Sequence, residues 1–129
     1  MLASLSRYLP QALGLLRIIS GLLFLEHGTQ KILSFPQGQA AGMALTFAGP
    51  PAYSGFIELI AGALIAIGLW TRPAALLASG TMAVAYFYAH APKNFFPVNN
   101  MGDAAILYCF VFLYLAVAGP GAWSVDRRR

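Results

Sequence analysis

The chain has 129 residues and a mass of 13.8 kDa, room for one domain, with 59% hydrophobic and only 9% charged residues. A soluble domain carries about 25% charged residues and covers its surface largely with polar groups, so an ordinary cytosolic enzyme, a disordered tail and a nucleic-acid module are excluded. The net charge of +4 does not restore the last of these, because three of the eight cations are the terminal Arg127, Arg128 and Arg129 rather than a stripe on a folded face.

Four apolar segments approach the ~20 residues with which a helix crosses a bilayer. In chain order they run over about 10–32, 51–70, 73–89 and 103–118. Pro10, Pro51 and Pro73 each suit a first helical turn, where a missing N–H costs nothing. Gly119-Pro120-Gly121 closes the last segment. The third and fourth segments are short, and extend into their loops or sit in thinner bilayer. The first is too long for a cleavable signal peptide, contains Arg17 and Glu26, and has no small-residue cleavage site after it.

Orientation follows from the short-loop cations. Arg7, Arg72 and Arg127 to Arg129 fall on one side, Lys31 and Lys93 on the other. The expectation is an all-α, up-down-up-down bundle of four transmembrane helices in one domain, both termini cytoplasmic, in the inner (plasma) membrane. The connections near 33–50 and 90–102 then face outside. Phe35, Met43, Leu45 and Phe47 give the first of these an interfacial character, and Phe95 and Phe96 flank polar groups in the second. The single Cys109 excludes an internal disulfide or a CxxC pair, and reads as a packing residue.

Ionisable groups inside apolar spans are expensive and normally turn toward the bundle interior with a partner. The first span reads Gly14-x-x-Arg17-x-x-x-Gly21, the second Gly55-x-x-Glu58-x-x-x-Gly62. In each, the spacing puts both glycines and the charge on one helical face, and glycine lets membrane helices approach closely. Steps of seven extend the first seam through Gly14, Gly21 and Gly28, with Arg17, Phe24 and Lys31 interleaved. A structural Arg17–Glu58 ion pair is one reading of the matched motifs. Their depth difference of roughly 7 Å lies within reach of a long arginine side chain.

His27 and His90 each lie 17 residues beyond a helix-opening proline, which puts them at similar depth. Glu26, His27, Lys31, Glu58, His90 and Asp103 thus converge on the outer half, at least one from every span. As a shared outward-opening pocket, His27, Glu58 and His90 would be the catalytic groups and Glu26, Lys31 and Asp103 the ligand-binding ones, with no metal. The plainer alternatives are hydrogen-bonding histidines at helix ends and an Asp103 that caps the fourth helix. Tyr86, Tyr88 and Tyr108 read as belt or core aromatics.

These residues carry a resemblance. Arg17…Gly21…Phe24 into His27-Gly28-Thr29-Gln30-Lys31, then Glu58…Gly62…Gly68-Leu69-Trp70-Thr71-Arg72, resemble the DoxX family of small four-helix membrane proteins, as do His90…Phe95-Phe96-Pro97, Asn100…Gly102 and the tail Gly119-Pro120-Gly121…Ser124…Asp126. Where that family commonly has Glu after Asn-Gly-Gly, this chain has Asn100-Met101-Gly102-Asp103. The family resembles a membrane subunit of thiosulfate:quinone oxidoreductase, and its members are described as oxidoreductase components, some linked to quinone or thiol stress. The resemblance therefore implies a quinone-linked oxidoreductase subunit or quinone-handling protein. Beyond the bilayer, its partners would be a quinone or other small apolar ligand, and a soluble redox partner or a second copy. Histidine suits the donor and proton-carrier roles such a ligand needs. No flavin or dinucleotide fingerprint is present. More distant relatives imply a different reading, a non-enzymatic, chaperone-like binding or assembly protein that holds a small ligand or a client helix.

Overall fold

The computed structural model describes residues 2–38, 41 and 50–126. Five α-helices and two short helical segments lie among them, and no strand. A 3₁₀ helix, Leu2–Tyr8, leads into α1, Leu9–Leu33. Pro10 sits in the first turn of α1, and the helix ends at Ser34, whose left-handed φ of 58° aims its N–H at the Thr29 carbonyl. At 1.5 Å per residue these 25 residues measure about 37 Å, more than the ~30 Å of a hydrocarbon core. Leu2–Leu33 is the stretch of membrane-spanning length and hydropathy among the described residues, and Ala52–Ile67 and Asp103–Ala118 are shorter apolar helices.

Helix α2 spans Pro50–Ile67. It stops because Gly68 takes φ 75°, which lets the N–H groups of Gly68 and Leu69 both fold back onto the Leu64 carbonyl. Helix α3, Thr71–Ala85, continues without a break into a five-residue π turn, Tyr86–His90, closed by Ala91 N–H on the Tyr86 carbonyl. One turn of helix, α4 (Pro97–Asn100), precedes α5, Asp103–Ala118, which Gly119 and Gly121 terminate at φ 91° and 71°. The apolar segments marked in the sequence are thus helical, with ends displaced by up to four residues. Of the residues singled out earlier, Met43, Leu45, Phe47 and Arg127 to Arg129 lie outside the described residues.

The helices associate as two tight pairs. In the first, α1 and α2 run antiparallel with their backbones in contact. A Cβ at Gly21 would stand 2.7 Å from the Ala66 nitrogen, one at Gly28 2.5 Å from that of Leu59, and one at Gly62 2.7 Å from that of Leu25. No larger residue fits at these three crossings. In the second pair small residues do the same work less severely. Ala74, Ala75, Ala78 and Ser79 of α3 are buried against α5, and the Ser79 hydroxyl donates to the Cys109 carbonyl at 2.7 Å.

Between pairs the contact is thinner, moderate for α2 with α3 and sparse for α1 with α5. The second junction depends on aromatic rings: Phe24 meets Phe112 edge-on at 4.8 Å and Tyr108 at 5.6 Å. Leu15, Ile19, Leu22, Leu76, Leu107 and Phe110 all point outward, as apolar solvent around the bundle would allow.

Candidate functional site

The glycine crossings decide where the charges meet. Gly28 brings α1 against Glu58 and Leu59, and Lys31 follows one turn later on the same face. The Glu58 side chain is 3% exposed and that of Lys31 17%. Lys31 Nζ lies 2.9 Å from Glu58 Oε1, and donates to Oε2 at 3.2 Å and to the Ser54 hydroxyl at 3.3 Å. The Oε1 approach is ionic contact without hydrogen-bond alignment, since that atom accepts no hydrogen bond among the described residues. A carboxylate this deeply buried needs a counter-charge, because stranding it costs several kcal/mol.

Beside the pair opens a groove of about 670 Å³ between α2 and α3. Ile57, Leu76, Leu77 and Val84 form apolar walls, and Tyr53 and Tyr88 add rings. Lys31, Ser54 and Thr81 contribute the polar side-chain atoms. Gly80 also lines it, and a Cβ there would meet nothing within 4 Å.

The remaining expected site residues are distributed. His27, exposed on α1, turns toward α5, with its ring edge-on to Tyr108 at 5.8 Å and its Nδ1 2.8 Å from the Leu23 carbonyl. His90, on the π turn, has Nδ1 3.0 Å from the Asn100 carbonyl. A carbonyl only accepts, so in both rings Nδ1 carries the hydrogen and the neutral form presents Nε2 as a base. The two histidines share no contact among the described residues. Glu26 is exposed on α1, and Asp103 is exposed in the first turn of α5 without a side-chain cap bond. Of the six residues expected in one pocket, the structure brings Lys31 and Glu58 into contact.

Sequence reasoning gave no role to three participants, although Asn100 and Asp126 stand in the motifs quoted above. Ser54 shares the Lys31 ammonium, and its position four residues before Glu58 on one helix was the available signal. Asn100, fully buried, organises the loop around His90 by donating to the Tyr86 hydroxyl at 2.9 Å and the Asn94 carbonyl at 3.0 Å while accepting from Gly102 N–H at 2.8 Å. Asp126 is the third, at the other end of the bundle.

There Arg17 is fully buried, and it is not the partner of Glu58. Its guanidinium lies beside Gly68, ten residues beyond Glu58 in the chain and about 15 Å along the axis, which is too far for a side chain to bridge. Nη1 donates to the carbonyls of Pro120 and Ala122, and Nη2 to that of Trp123 at 2.8 Å. These carbonyls belong to a strap, residues 119–126, that folds back under the helices. Asp126 anchors its end, accepting from Trp70 N–H at 3.0 Å and Thr71 N–H at 2.7 Å, where the open N–H groups of α3 favour a carboxylate. Ala122 N–H reaches the Pro10 carbonyl, and Val125 N–H that of Ile67. Arg72 closes the other terminus, donating to the Ala116 and Val117 carbonyls at the end of α5.

Known proteins similar to this chain identify its family. The DoxX family model matches residues 12–91, which hold Arg17, Lys31, Glu58 and His90. An uncharacterized protein of Haemophilus influenzae is 38% identical over 128 residues, covering 97% of this chain and 96% of its own. The uncharacterized membrane protein Rv3486 of Mycobacterium tuberculosis is 31% identical, over 92% of this chain and 82% of its own. The inner membrane protein YphA of Escherichia coli is 33% identical, over 92% and 91%. No solved structure matches. With its family model covering most of the three leading helices, and with relatives aligned over nearly the full length, the chain belongs to the DoxX family and is a membrane protein.

Proposed function

We propose that the chain is a multi-pass protein of the inner membrane, with four spans and cytoplasmic termini, that holds a quinone in the groove between α2 and α3. The supporting observation is the groove itself. An apolar slot of about 670 Å³ is within the usual size of small-molecule sites, and it runs into a lysine ammonium and a serine hydroxyl backed by a buried carboxylate. A ring with carbonyl oxygens fits that donor set, since Lys31 and Ser54 can donate to a carbonyl while leucine and isoleucine walls take the ring and its tail. When bound, a quinone supplies two-electron carrier chemistry, with electrons entering from a redox partner. The chain's own residues bind and orient the ring and exclude water, with the Glu58 carboxylate holding the Lys31 ammonium in place.

The test is purification in mild detergent, mass analysis of co-extracted lipids, and titration with a short-chain ubiquinone analogue read by thermal stability. Co-purified quinone and a saturable stabilisation are expected, with binding weakened about tenfold or more in Lys31→Met/Glu58→Gln, where neither charge is stranded. Extracts free of quinone, with no stabilisation of the folded wild type, would refute the reading. That outcome would favour the assembly-protein alternative.

A further inference from the structure

A second concavity lies at the opposite end of the bundle and on its other side, where α1 and α5 barely touch. It encloses about 850 Å³ between the first turns of α1, the last turns of α5 and the strap. The gap has a visible cause. A Cβ at Gly14 would stand 2.6 Å from the Ala122 carbonyl oxygen, so the strap, and not α5, occupies the close-packing face of α1 here. Leu9, Leu13 and Leu16 form one wall and Tyr114 and Trp123 the other, and Asp126, its carboxylate held by the Trp70 and Thr71 N–H groups, also lines it. Leu9, Trp123 and Tyr114 are 63%, 62% and 56% exposed, so the groove opens sideways, toward lipid.

The helix Leu2–Tyr8 rises from the rim of this groove. A 3₁₀ helix has three residues per turn and stacks positions i and i+3, which places Leu2, Leu5 and Tyr8 on one face and Ser4 and Arg7 on another. None of these residues is buried. Because α1 alone exceeds the hydrocarbon thickness, a span along α1 would carry this helix at the membrane–water interface, and its last residue, Tyr8, adjoins Leu9 of the groove wall. Arg7 stands two residues before Leu9, about 4 Å along the axis. Its exposed guanidinium lies 4.9 Å over the Tyr8 ring and donates to the Tyr8 hydroxyl, an arrangement that steadies it at the rim. Arg72 at this end is committed to the α5 carbonyls, which leaves Arg7 as the rim cation for a ligand among the described residues.

We propose that this groove is a specific site for an anionic diacyl phospholipid, with one acyl chain between α1, α5 and the strap and the phosphate on Arg7. Guanidinium and phosphate match in geometry as well as charge. Tyr114 and Trp123, both in the groove wall and exposed, are of the residue types that meet headgroups at the membrane–water interface. With the topology proposed above, this lipid would lie in the cytoplasmic leaflet. Binding itself is independent of that topology and of the quinone groove.

Native mass spectrometry of the purified chain, titrated with phosphatidylglycerol and with phosphatidylcholine of the same acyl chains, tests the site. The expected result is one tightly held phosphatidylglycerol per chain, preferred over phosphatidylcholine. Arg7→Gln should cut that preference about fivefold, the value of one cation at an anionic surface. Ala12→Trp places a bulky ring at an exposed position of the groove wall, and should remove the adduct of both lipids while the melting temperature holds. Equal affinity of the wild type for the two lipids overturns the proposal, as does an Ala12→Trp chain that melts normally and keeps its adduct.

Discussion

Replacing Arg17 with methionine removes the three hydrogen bonds that hold the strap and keeps much of the side-chain volume. A hydrogen bond to a charged group contributes about 1.5–3 kcal/mol net. The full sum does not apply, because the strap lies at the end of the bundle and its released carbonyls regain water. The expected loss is about 3–5 kcal/mol, or roughly 10–20 °C in melting temperature for a chain of this size. Trp70 and Trp123 both lie at this end, so intrinsic fluorescence in detergent reports strap release directly. Chymotrypsin gives a second readout, since cleavage after Trp123 requires the strap to leave Arg17. The variant should melt early and be clipped there under conditions that spare the wild type. An Arg17→Met protein that melts with the wild type and resists cleavage would show that the strap is held by its backbone contacts alone.

The separate partners of the two buried charges make a matched prediction. Lys31→Met and Glu58→Gln should each destabilise by a few kcal/mol and their double variant should recover part of the loss, whereas Arg17→Met and Glu58→Gln should be additive within about 0.5 kcal/mol in the same thermal-melt cycle. Gly28→Val should disrupt the α1–α2 crossing and lower expression of folded protein measured by size exclusion, while Gly80→Ala, with open space at its Cβ, should gain up to about 1 kcal/mol from helix propensity. In a Cys109→Ser background, cysteines at Ser6 and Lys93 should label from opposite sides of the membrane, Lys93→Cys from outside; labelling of both from one side would refute the four-span topology.

The inward face of α1 was legible at single-residue resolution. Gly14, Arg17, Gly21, Phe24 and Gly28 are all buried, as the seven-residue spacing requires. The partner of each charge was not legible. Two antiparallel helices with matching motifs can slide by whole turns and keep their faces together, and the register is set by which glycine meets which backbone. Here Gly28 meets Leu59, and that assigns Glu58 to Lys31. The strap was hidden for a different reason: Arg17 binds main-chain carbonyls, which every residue carries, so no side-chain pattern marks them. Equal depth likewise brought His27 and His90 to one level without saying that their rings turn to different neighbours. The two grooves arise where helix pairs fail to meet, and a sequence records contacts better than gaps.

The span between Arg17 and its acceptors, 103 to 106 residues, also fixes an order of events during synthesis. The first helix enters the membrane carrying an arginine whose partners do not exist until more than 100 further residues have been made. For that interval the charge stands in hydrocarbon at a cost of about 2.5–3.5 kcal/mol on insertion scales. A nascent or truncated chain ending before Pro120 therefore exposes an unsatisfied intramembrane cation. Synthesis of residues 120–123 is the step that conceals it. Membrane quality control that surveys such charges would, at this one position, distinguish chains that include the strap from those cut before it.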